Sequence, residues 1–421
     1  MEKNKTAWNR REFLGAAGLA VVGSRLARGA EANPAIRVGL LGCGGRGTVD
    51  ATSMVENAGA RITALGDLFE DQLDRARRHF DALAAKHGHA PIDPGQIFRG
   101  PRACEQIASS AQVDAIVIAT PPYFHPDHLE RVVAAGKHAY CEKPVAVDVP
   151  GARRVLEIGR RAEGRVSLEV GFQIRQAPPF VELVKRLHAG SIGEIGFAEA
   201  YYYCPFLDTG HQTAPPVEWR LRNWLYDRVL SGDIIVEQNI HALDICNWVL
   251  RGHPVKAVGV GGRKGRSENG NVYGQCAVVF TYPNGVRLSF SSKQFGKGPF
   301  DVNERFFGTR GNAQSPYSGP LGTVGEETWT WSGSELKHQT DFSATGTFKD
   351  NLADADAEKH RSFIGSIASG QFHNQASSGV ESALTAMLGR MAMDTGREVA
   401  WEKLLRSHEK WQLGLDLDKL A

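Results

Sequence analysis

The sequence has few cysteines and no closely spaced cysteine pair. Six cysteines are scattered through 421 residues, at positions 43, 104, 141, 204, 246 and 276, which indicates neither a disulfide framework nor a zinc site. The sequence also lacks an apolar run of transmembrane length, an internal repeat and a low-complexity tract. The formal net charge is only +2, and the first 32 residues carry six Lys/Arg against three Asp/Glu, leaving about −1 for the remainder. A basic surface for nucleic acid or anionic lipid is therefore not expected.

The extreme N-terminus has the pattern of an export signal. Asn9-Arg10-Arg11-Glu12-Phe13-Leu14 precedes a modest apolar run, Leu14 to Gly23, and then Ala30-Glu31-Ala32. A charged start, an apolar middle and a small-residue exit are typical of a signal peptide, and paired arginines before Phe-Leu resemble the twin-arginine type. We therefore predict a signal peptide over residues 1–32 and a periplasmic or other extracytoplasmic protein. The alternative is a disordered tail whose paired arginines are coincidental.

The rest of the chain changes its pattern once. Residues 36–155 alternate near-continuous apolar strands with helical segments, which favours an α/β fold with a doubly wound parallel sheet of the Rossmann type. Residues 156–421 contain strands without crossover helices, including a hairpin across Pro283-Asn284-Gly285. They predict an α+β domain with a large open, mainly antiparallel sheet. One helix, about Val236 to Leu250, is expected to interrupt those strands.

A glycine-rich loop follows the first predicted strand and opens a helix. Gly42 permits the tight turn, Gly44 lets a pyrophosphate approach the backbone, and Gly47 lets the helix pack closely on the strand. Asp67 ends the next strand, where a carboxylate accepts hydrogen bonds from the adenine-side ribose and repels a 2′-phosphate. The pattern predicts a bound NAD and makes NADP less likely, although Arg46 could still pair with a phosphate.

Two further segments carry chemistry. Glu142-Lys143-Pro144 ends a strand at the carboxyl edge of the parallel sheet, where the Lys143 cation can orient a substrate hydroxyl and favour a developing alkoxide. Later, Glu237, His241 and Asp244 are spaced to share one face of the expected helix. The imidazole can accept a proton, and a carboxylate one turn away could fix its tautomer. A metal site is the less favoured interpretation, because no third clustered ligand is present.

Together these residues resemble the Gfo/Idh/MocA family of oxidoreductases, over about residues 36 to 400. The resemblance rests on five motifs: Val38 to Gly44, Ala119-Thr120-Pro121-Pro122 with His125, Glu142-Lys143-Pro144, Gly193-Glu194-Ile195-Gly196, and Glu237 to Asp244. It implies a Rossmann domain, an α/β domain whose open sheet supports homo-oligomers, and a Lys-Asp-His catalytic set. That set falls here on Lys143, Glu237 and His241. The chain departs from the family pattern at Glu237, usually aspartate, and at Asn239, usually glycine.

The remaining candidates are assigned by position. The predicted cofactor-binding residues are Gly42, Gly44, Gly45, Arg46, Gly47, Asp67, Thr120, Pro121, His125, Glu142 and Lys143. The predicted substrate residues are Gln173, Arg175, Tyr201, Tyr203, Trp224 and His241. The tyrosines lie on one face of a strand, where a ring can stack on a sugar, with core packing or a subunit interface as an equal alternative.

The predicted reaction is hydride transfer between the nicotinamide and a secondary hydroxyl of a sugar or glycoside. Because no soluble NAD pool exists outside the cytoplasm, an exported protein is expected to hold its cofactor tightly and recycle it. One alternative is a redox-neutral glycoside hydrolase or lyase, in which transient oxidation permits elimination and the hydride then returns. A second is a protein that binds NAD without catalysing a reaction.

Overall fold

The computed structural model describes residues 35–211, 213–267, 269–333 and 348–420. The predicted export signal, residues 1–32, lies outside them. Among the described residues, no helix combines the length and the apolar character that crossing a bilayer requires.

The first half of the described chain forms a parallel sheet with the strand order β3-β2-β1-β4-β5-β6. Its strands are β1 (Arg37–Leu41), β2 (Arg61–Asp67), β3 (Ile97–Arg99), β4 (Ala115–Ile118), β5 (His138–Cys141) and β6 (Leu168–Val170). The helices between them are α1 (Gly45–Ala58), α2 (Glu70–Lys86), α3 (Ala103–Ser109), α4 (His125–Ala134) and α5 (Val149–Ala162). The strand order reverses between β1 and β4, which places a ligand crevice at their carboxyl ends.

The second half of the described chain forms a larger sheet with the order β14-β13-β12-β11-β7-β10-β9-β8-β15. Its strands are β7 (Ile195–Cys204), β8 (Lys256–Gly262), β9 (Gln275–Thr281), β10 (Arg287–Gln294), β11 (Asp301–Gly308), β12 (Gly311–Gln314), β13 (Gly322–Gly325), β14 (Trp329–Thr330) and β15 (Val399–Ala400). All neighbours pair antiparallel except β7 and β10, which are parallel. The predicted fold class is therefore confirmed.

Further helices lie in the second half of the described chain. They are α6 (Pro178–His188), α7 (Pro216–Arg222), α8 (Arg228–Ser231), α9 (Ile234–Glu237), α10 (Ile240–Leu250), α11 (Ala355–Ser369), α12 (Ala376–Thr395) and α13 (Trp401–Leu405). Helix α12 packs on both β8 and α5, and α11 packs on α1. One apolar core accordingly runs from the parallel sheet into the large sheet. The domain boundary expected at residue 155 falls inside α5, and strand β6 still follows it.

The helix expected over Val236 to Leu250 is interrupted, which corrects the sequence prediction. Helix α9 ends at Glu237, and α10 begins at Ile240. The N–H of Asn239 donates to the carbonyl of Ile234, five residues back, at 3.0 Å. The Glu237 carbonyl accepts a hydrogen bond from the Lys143 ammonium at 2.7 Å. A backbone hydrogen bond that spans five residues widens a helical turn, and so does a side chain that donates to a helix carbonyl. The chain here therefore does not form one continuous helix.

Candidate active site

The glycine loop joins β1 to α1 at the carboxyl edge of the parallel sheet. Gly42 has a left-handed φ of 94°, and a Cβ added there would lie 2.6 Å from the Ala119 backbone. A Cβ on Gly47 would lie 2.3 Å from the Gly42 carbonyl oxygen, whereas no described residue lies within 4 Å of a Cβ built on Gly44. Gly44 is the N-cap of α1, and Gly45 is its first residue. That open backbone and the N–H groups of the first helical turn fit a pyrophosphate.

Asp67 ends β2 beside this loop. Its Oδ2 accepts a hydrogen bond from the Cys43 N–H at 2.7 Å, and its Oδ1 accepts one from the Phe69 N–H at 2.9 Å. Burial raises the pKa of this carboxyl group, and the backbone donors oppose the rise. The carboxylate is thus fixed at the strand end, where it can accept hydrogen bonds from ribose hydroxyls, as NAD requires.

Arg46 lies in the glycine loop but points into a network of buried charges. Its guanidinium contacts Glu142 Oε1 at 3.0 Å, Asp356 Oδ1 at 2.7 Å and Asp50 Oδ1 at 2.9 Å. Its Nη2 also donates to Gln173 Oε1 at 3.2 Å. These partners engage the guanidinium inside the protein, so pairing with a cofactor phosphate is not the role that the geometry indicates. Arg46 instead links the loop to helix α11.

The loop after β4 is braced by histidines. Thr120 Oγ1 lies 3.0 Å from His128 Nδ1. His125 is buried, with Nε2 2.7 Å from the Thr120 carbonyl and Nδ1 2.7 Å from the Pro144 carbonyl. Burial lowers the pKa of His125, and the two carbonyls oppose that effect. His125 therefore connects the Thr120-Pro121 turn to the chain that follows Lys143, and it sets the position of both.

Lys143 and Glu237 form an ion pair at the carboxyl edge of β5. The Lys143 ammonium donates to the Glu237 carboxylate at 2.8 Å and to the Glu237 backbone carbonyl at 2.7 Å. Glu142 lies just behind, accepting from the Lys143 N–H at 3.0 Å and from the Tyr140 hydroxyl at 3.1 Å. The two predicted catalytic residues of opposite charge are therefore brought together, and the longer acid reaches the lysine directly.

His241 lies in the first turn of α10 and is 6% exposed. Its ring packs edge-on against Phe172, with centroids 6.1 Å apart. Its Nδ1 is buried and has no hydrogen-bond partner among the described residues. Burial first, and the Lys143 cation second, hold the pKa of His241 well below its usual value of 6.5. The imidazole is therefore neutral at physiological pH and can accept a proton.

Asp244, one of the two carboxylates that the sequence placed one turn from His241, is paired with other residues. Its carboxylate pairs with Arg175 through two hydrogen bonds of 2.8 and 2.9 Å and accepts a third from the Ser382 hydroxyl at 2.6 Å. Arg175 also lies over the Trp248 ring, 5.5 Å from its centroid. Arg175 is thus committed to a buried structural pair and not to a substrate. Gln173, the neighbouring candidate, is buried beside Arg46.

Tyr201 and Tyr203 lie on the opposite face of β7 from the candidate catalytic residues. On that strand, Cys204 contacts Gln238 in the turn between α9 and α10, so its even-numbered side chains face the site. Tyr201 and Tyr203 stack on each other with ring centroids 4.9 Å apart. The Tyr203 hydroxyl forms a hydrogen bond with the Ser291 hydroxyl on the same open face. Strand alternation separates them from Lys143. The structure therefore does not support stacking of these tyrosine rings on a sugar bound in the same subunit.

Trp224 belongs to a smaller apolar cluster over the cofactor crevice. We call α7, the turn Trp224–Tyr226 and the C-terminal stretch 411–420 the cover. The cover packs on Leu68 and Phe69, which follow Asp67, and on Tyr123 and Phe124, which follow Thr120. Arg222 lies over the Phe69 ring at 3.9 Å and pairs with Asp71 at 2.9 Å. Trp224 is thus placed toward the cofactor end of the crevice.

Helix α11 supplies charged residues that sequence analysis missed. Asp356 pairs with Arg46, and the fully buried Lys359 has its Nζ 3.5 Å from Asp356 Oδ1 and 3.8 Å from Glu142 Oε1. No local motif marks them, because Arg46 and Glu142, with which they form ion pairs, lie hundreds of positions earlier in the chain. Asp50, Asp356 and His360 also come close enough to share a cation. The Arg46 and Lys359 charges already neutralise these acids, which disfavours a metal ion there.

The parallel sheet, its glycine loop and the adjoining Lys143, Glu237 and His241 define a dinucleotide-dependent oxidoreductase. Comparison with known proteins agrees. A model described as the oxidoreductase family with an NAD-binding Rossmann fold matches residues 36–170, and the GFO/IDH/MocA C-terminal domain matches residues 180–314. Together they span well over half the chain. The chain belongs to the GFO/IDH/MocA oxidoreductase family, and the predictions of NAD as cofactor and of an oxidoreductase acting on CH–OH groups are confirmed.

The individual relatives and solved structures share only a small part of their sequence with this chain. The chain is 27% identical to an inositol 2-dehydrogenase of Rhizobium meliloti over 338 residues, which is 80% of this chain and 89% of that protein. It is 25% identical to scyllo-inositol 2-dehydrogenase (NAD(+)) of Bacillus subtilis, over 78% of this chain and 83% of that one. A levoglucosan dehydrogenase structure in complex with NADH and levoglucosan has a TM-score of 0.67 at 16% identity, over 87% of this chain and 99% of that one. At this low sequence identity, the structural similarity shows a shared fold.

Proposed function

We propose that the chain oxidises a secondary hydroxyl of a sugar, cyclic polyol or glycoside with NAD as hydride acceptor. The observation that carries the proposal is the Lys143–Glu237 pair beside the buried neutral His241, at the sheet edge that holds the glycine loop. The relatives named inositol dehydrogenases favour this substrate class, since inositol is a cyclic polyol.

Three residues of the chain have separate roles in the oxidation. Bound NAD supplies the hydride acceptor. Lys143 donates a hydrogen bond to the substrate hydroxyl, and its charge favours the alkoxide character that develops as the C–H electron pair leaves. The hydroxyl proton goes to the His241 imidazole, which becomes an imidazolium as the C=O bond forms. Glu237 orients Lys143, and reduction runs through the same groups in reverse.

The cofactor in this proposal is held tightly and recycled within the site. The cover supports it, because α7 and the C-terminal stretch pack over the residues that follow Asp67 and Thr120, where the adenosine end of NAD is expected. The Leu413 N–H donates to the Tyr123 hydroxyl at 3.3 Å, and Arg220 donates to the Leu413 carbonyl at 2.9 Å. Export through the predicted signal would make such retention necessary.

In this proposal, the protein assembles as a homo-oligomer through the open face of the large sheet. That face carries exposed aliphatic and aromatic side chains on several strands: Phe197, Val258, Val260, Val279 and Val324. Exposed apolar side chains on an open sheet face are typical of a protein–protein contact. The stacked Tyr201 and Tyr203 lie on the same face.

The test is to purify the protein and to add sugars, cyclic polyols and glycosides one at a time, among them D-glucose, myo-inositol and methyl β-D-glucopyranoside. We expect NAD to co-purify and its nicotinamide absorbance to change with at least one compound. Lys143→Ala should slow that change by about 100-fold or more, since one electrostatic contact to a developing oxyanion contributes that much. Lys86→Ala, which removes an exposed pair with Glu56 near the C-terminal end of α1, is the control.

Three results would contradict parts of this proposal. If no compound alters the bound cofactor and Lys143→Ala behaves like the wild type, the enzymatic function fails. Release of an aglycone without net NADH selects a redox-neutral hydrolase or lyase. Purification without cofactor, followed by weak binding of added NAD, removes the tight-binding part alone.

A further inference from the structure

Lys359 of helix α11 is a fully buried lysine that has no role in the proposed reaction steps. Its Nζ has no hydrogen-bond partner among the described residues. It lies 3.8 Å from Glu142 Oε1, 3.5 Å from Asp356 Oδ1 and 4.9 Å from the centroid of the Tyr140 ring. A buried ammonium loses its hydration, and nearby negative charge and an aromatic face compensate that loss. The position of Lys359 is therefore explained by the acids around it.

The acids around Lys359 outnumber the cations. The three carboxylates are those of Asp50, Glu142 and Asp356, and the Arg46 guanidinium contacts them at 2.9, 3.0 and 2.7 Å. Arg46 and Lys359 are the two cations that balance these three acids. Loss of Lys359 would leave Arg46 as the single cation of this buried cluster.

The titration of the surrounding groups reflects this balance. Burial raises the pKa of Asp50, and Arg46 and then Lys359 oppose the rise. Burial would also raise the pKa of Asp356, but the same two cations hold it below its usual value. His360, whose Nε2 lies 3.1 Å from Asp50 Oδ1, is uncharged at physiological pH, because burial first and Lys359 second lower its pKa to about 3. Lys359 therefore favours the ionised form of the acids.

Glu142 connects this cluster to the candidate catalytic lysine. Its Oε1 accepts from Arg46 Nε at 3.0 Å and from the Tyr140 hydroxyl at 3.1 Å, and its Oε2 accepts from the Lys143 N–H at 3.0 Å. Burial raises the pKa of Tyr140 well above its usual value, so the hydroxyl remains a donor. An ionised Glu142 accepts at both oxygens, whereas a protonated one carries a proton on one of them. The charge on Glu142 thus fixes the backbone that carries the Lys143 ammonium.

We propose that Lys359 is a positioning residue for Lys143, which acts by keeping Glu142 ionised. With Glu142 ionised, the Lys143 N–H and the Arg46 guanidinium stay bound, and the Lys143 ammonium stays directed at the substrate hydroxyl. Arg46 belongs to α1, which begins in the glycine loop, so the same balance of charge joins the cofactor loop to the reacting end. This inference rests on the proposed function.

The experiment follows kcat/KM against pH in Lys359→Met, which keeps the length of the side chain and removes its charge. The substrate is the compound of the panel that reacts fastest. Without this cation the cluster takes up a proton at higher pH, since an opposite charge within about 4–6 Å moves a carboxyl pKa by roughly one to three pH units. We expect kcat/KM for oxidation to fall about fivefold or more from about pH 7.5 to 6, against less than about twofold in the wild type. Glu358→Gln, which removes a partly exposed ion pair on the same helix, should keep the wild-type profile.

The double variant Lys359→Met/Asp356→Asn separates charge balance from packing. It has two acids and one cation, so its formal charge equals that of the wild-type cluster. We expect its pH profile to return toward that of the wild type and its Tm to exceed that of Lys359→Met. If Lys359 acted through packing alone, the second substitution would restore neither. If Lys359→Met does not fold, Lys359→Gln, whose amide can still donate to the acids, takes its place in the same comparison.

The reduction direction separates this role from a direct effect on His241. Burial and Lys143 are the main causes of the low pKa of His241, and Arg46 and Lys359 add to them. If loss of Lys359 only raised that pKa, oxidation would slow as the pH falls, but reduction, in which the imidazolium donates the proton, would become faster. Loss of the Glu142 charge displaces Lys143 and slows both directions. We therefore expect both rates of Lys359→Met to fall relative to the wild type at the same pH.

Three outcomes overturn the inference while leaving the proposed function intact. They are an unchanged pH profile in Lys359→Met, a double variant that is no better than the single one, and faster reduction accompanied by slower oxidation. Failure of the wild type to oxidise any compound is a different result and contradicts the proposed function itself.

Discussion

Lys143 and His241 illustrate how one cation prepares a neighbouring base. The lysine is fixed by two acceptor atoms of Glu237, and its charge adds to burial in keeping the imidazole neutral. A neutral imidazole can take the hydroxyl proton as hydride leaves, whereas an imidazolium cannot. Residue identities alone suggested these roles, but the sequence could not show that Asp244, one of the two carboxylates placed one turn from His241, is bound by Arg175.

Lowering the pH should leave oxidation intact through the usual titration range of histidine. The pKa of His241 is held well below 6.5, so the base form persists as the pH falls through that value and is lost only at lower pH. We expect kcat/KM for oxidation to change less than about twofold between about pH 6 and 7.5. His241→Asn should lower it by about 100-fold or more across that range. An acid limb centred near 6.5 in the wild type would contradict this assignment.

Two elements shape the candidate site. The interrupted turn between α9 and α10 lies between Glu237 and His241. Its Glu237 carbonyl accepts a hydrogen bond from Lys143, which follows strand β5. The cover forms from α7 and the far C-terminal stretch, which meet over the crevice although about 190 residues separate Arg220 from Leu413. Sequence periodicity predicted neither, because both depend on contacts between distant segments.

Loosening the cover should accelerate loss of NAD. Arg222 joins α7 to Phe69 and Asp71, next to the residue expected to hold the ribose. A cation–π contact and a partly exposed ion pair together account for roughly a tenfold change, so Arg222→Ala should release bound NAD about tenfold faster. The measurement is cofactor retained after dilution and gel filtration. Arg160→Ala, which removes an exposed pair on α5, is the control. Equal retention in Arg222→Ala and wild type would mean that the cover does not hold the cofactor.

At the scale of the whole molecule, the large sheet has two unlike faces. Helices α10 and α12 pack on one, while the other exposes Val260 at 65% and Val324 at 67% of their surface. This asymmetry explains why the tyrosines predicted to stack on a sugar lie away from Lys143. It also makes the alternative that the sequence left open for them, a subunit interface, the one that fits the proposed assembly.

A charge on the open face should therefore weaken the oligomer. In Val260→Asp, an ionised carboxylate would be buried without a partner at the contact, so the protein should shift to smaller species at micromolar concentration. Light scattering coupled to size-exclusion chromatography measures the change. Val217→Asp alters a valine that is similarly exposed, at 64%, but lies on α7, and should leave the mass unchanged. A monomeric wild type, or an unchanged mass in Val260→Asp, would rule out this interface.

The sequence by itself determined the alternating strands and helices, the glycine loop with Asp67, and the family. These follow from local geometry: tight turns need glycine, and buried parallel strands need continuous apolar runs. Only the tertiary structure decided which charges pair and which strand face meets the helices. Arg46 and Asp356 lie 310 positions apart, and nothing in either segment identifies the other. The glycine loop was therefore evident in the sequence, whereas the charge network beneath it emerged only from packing.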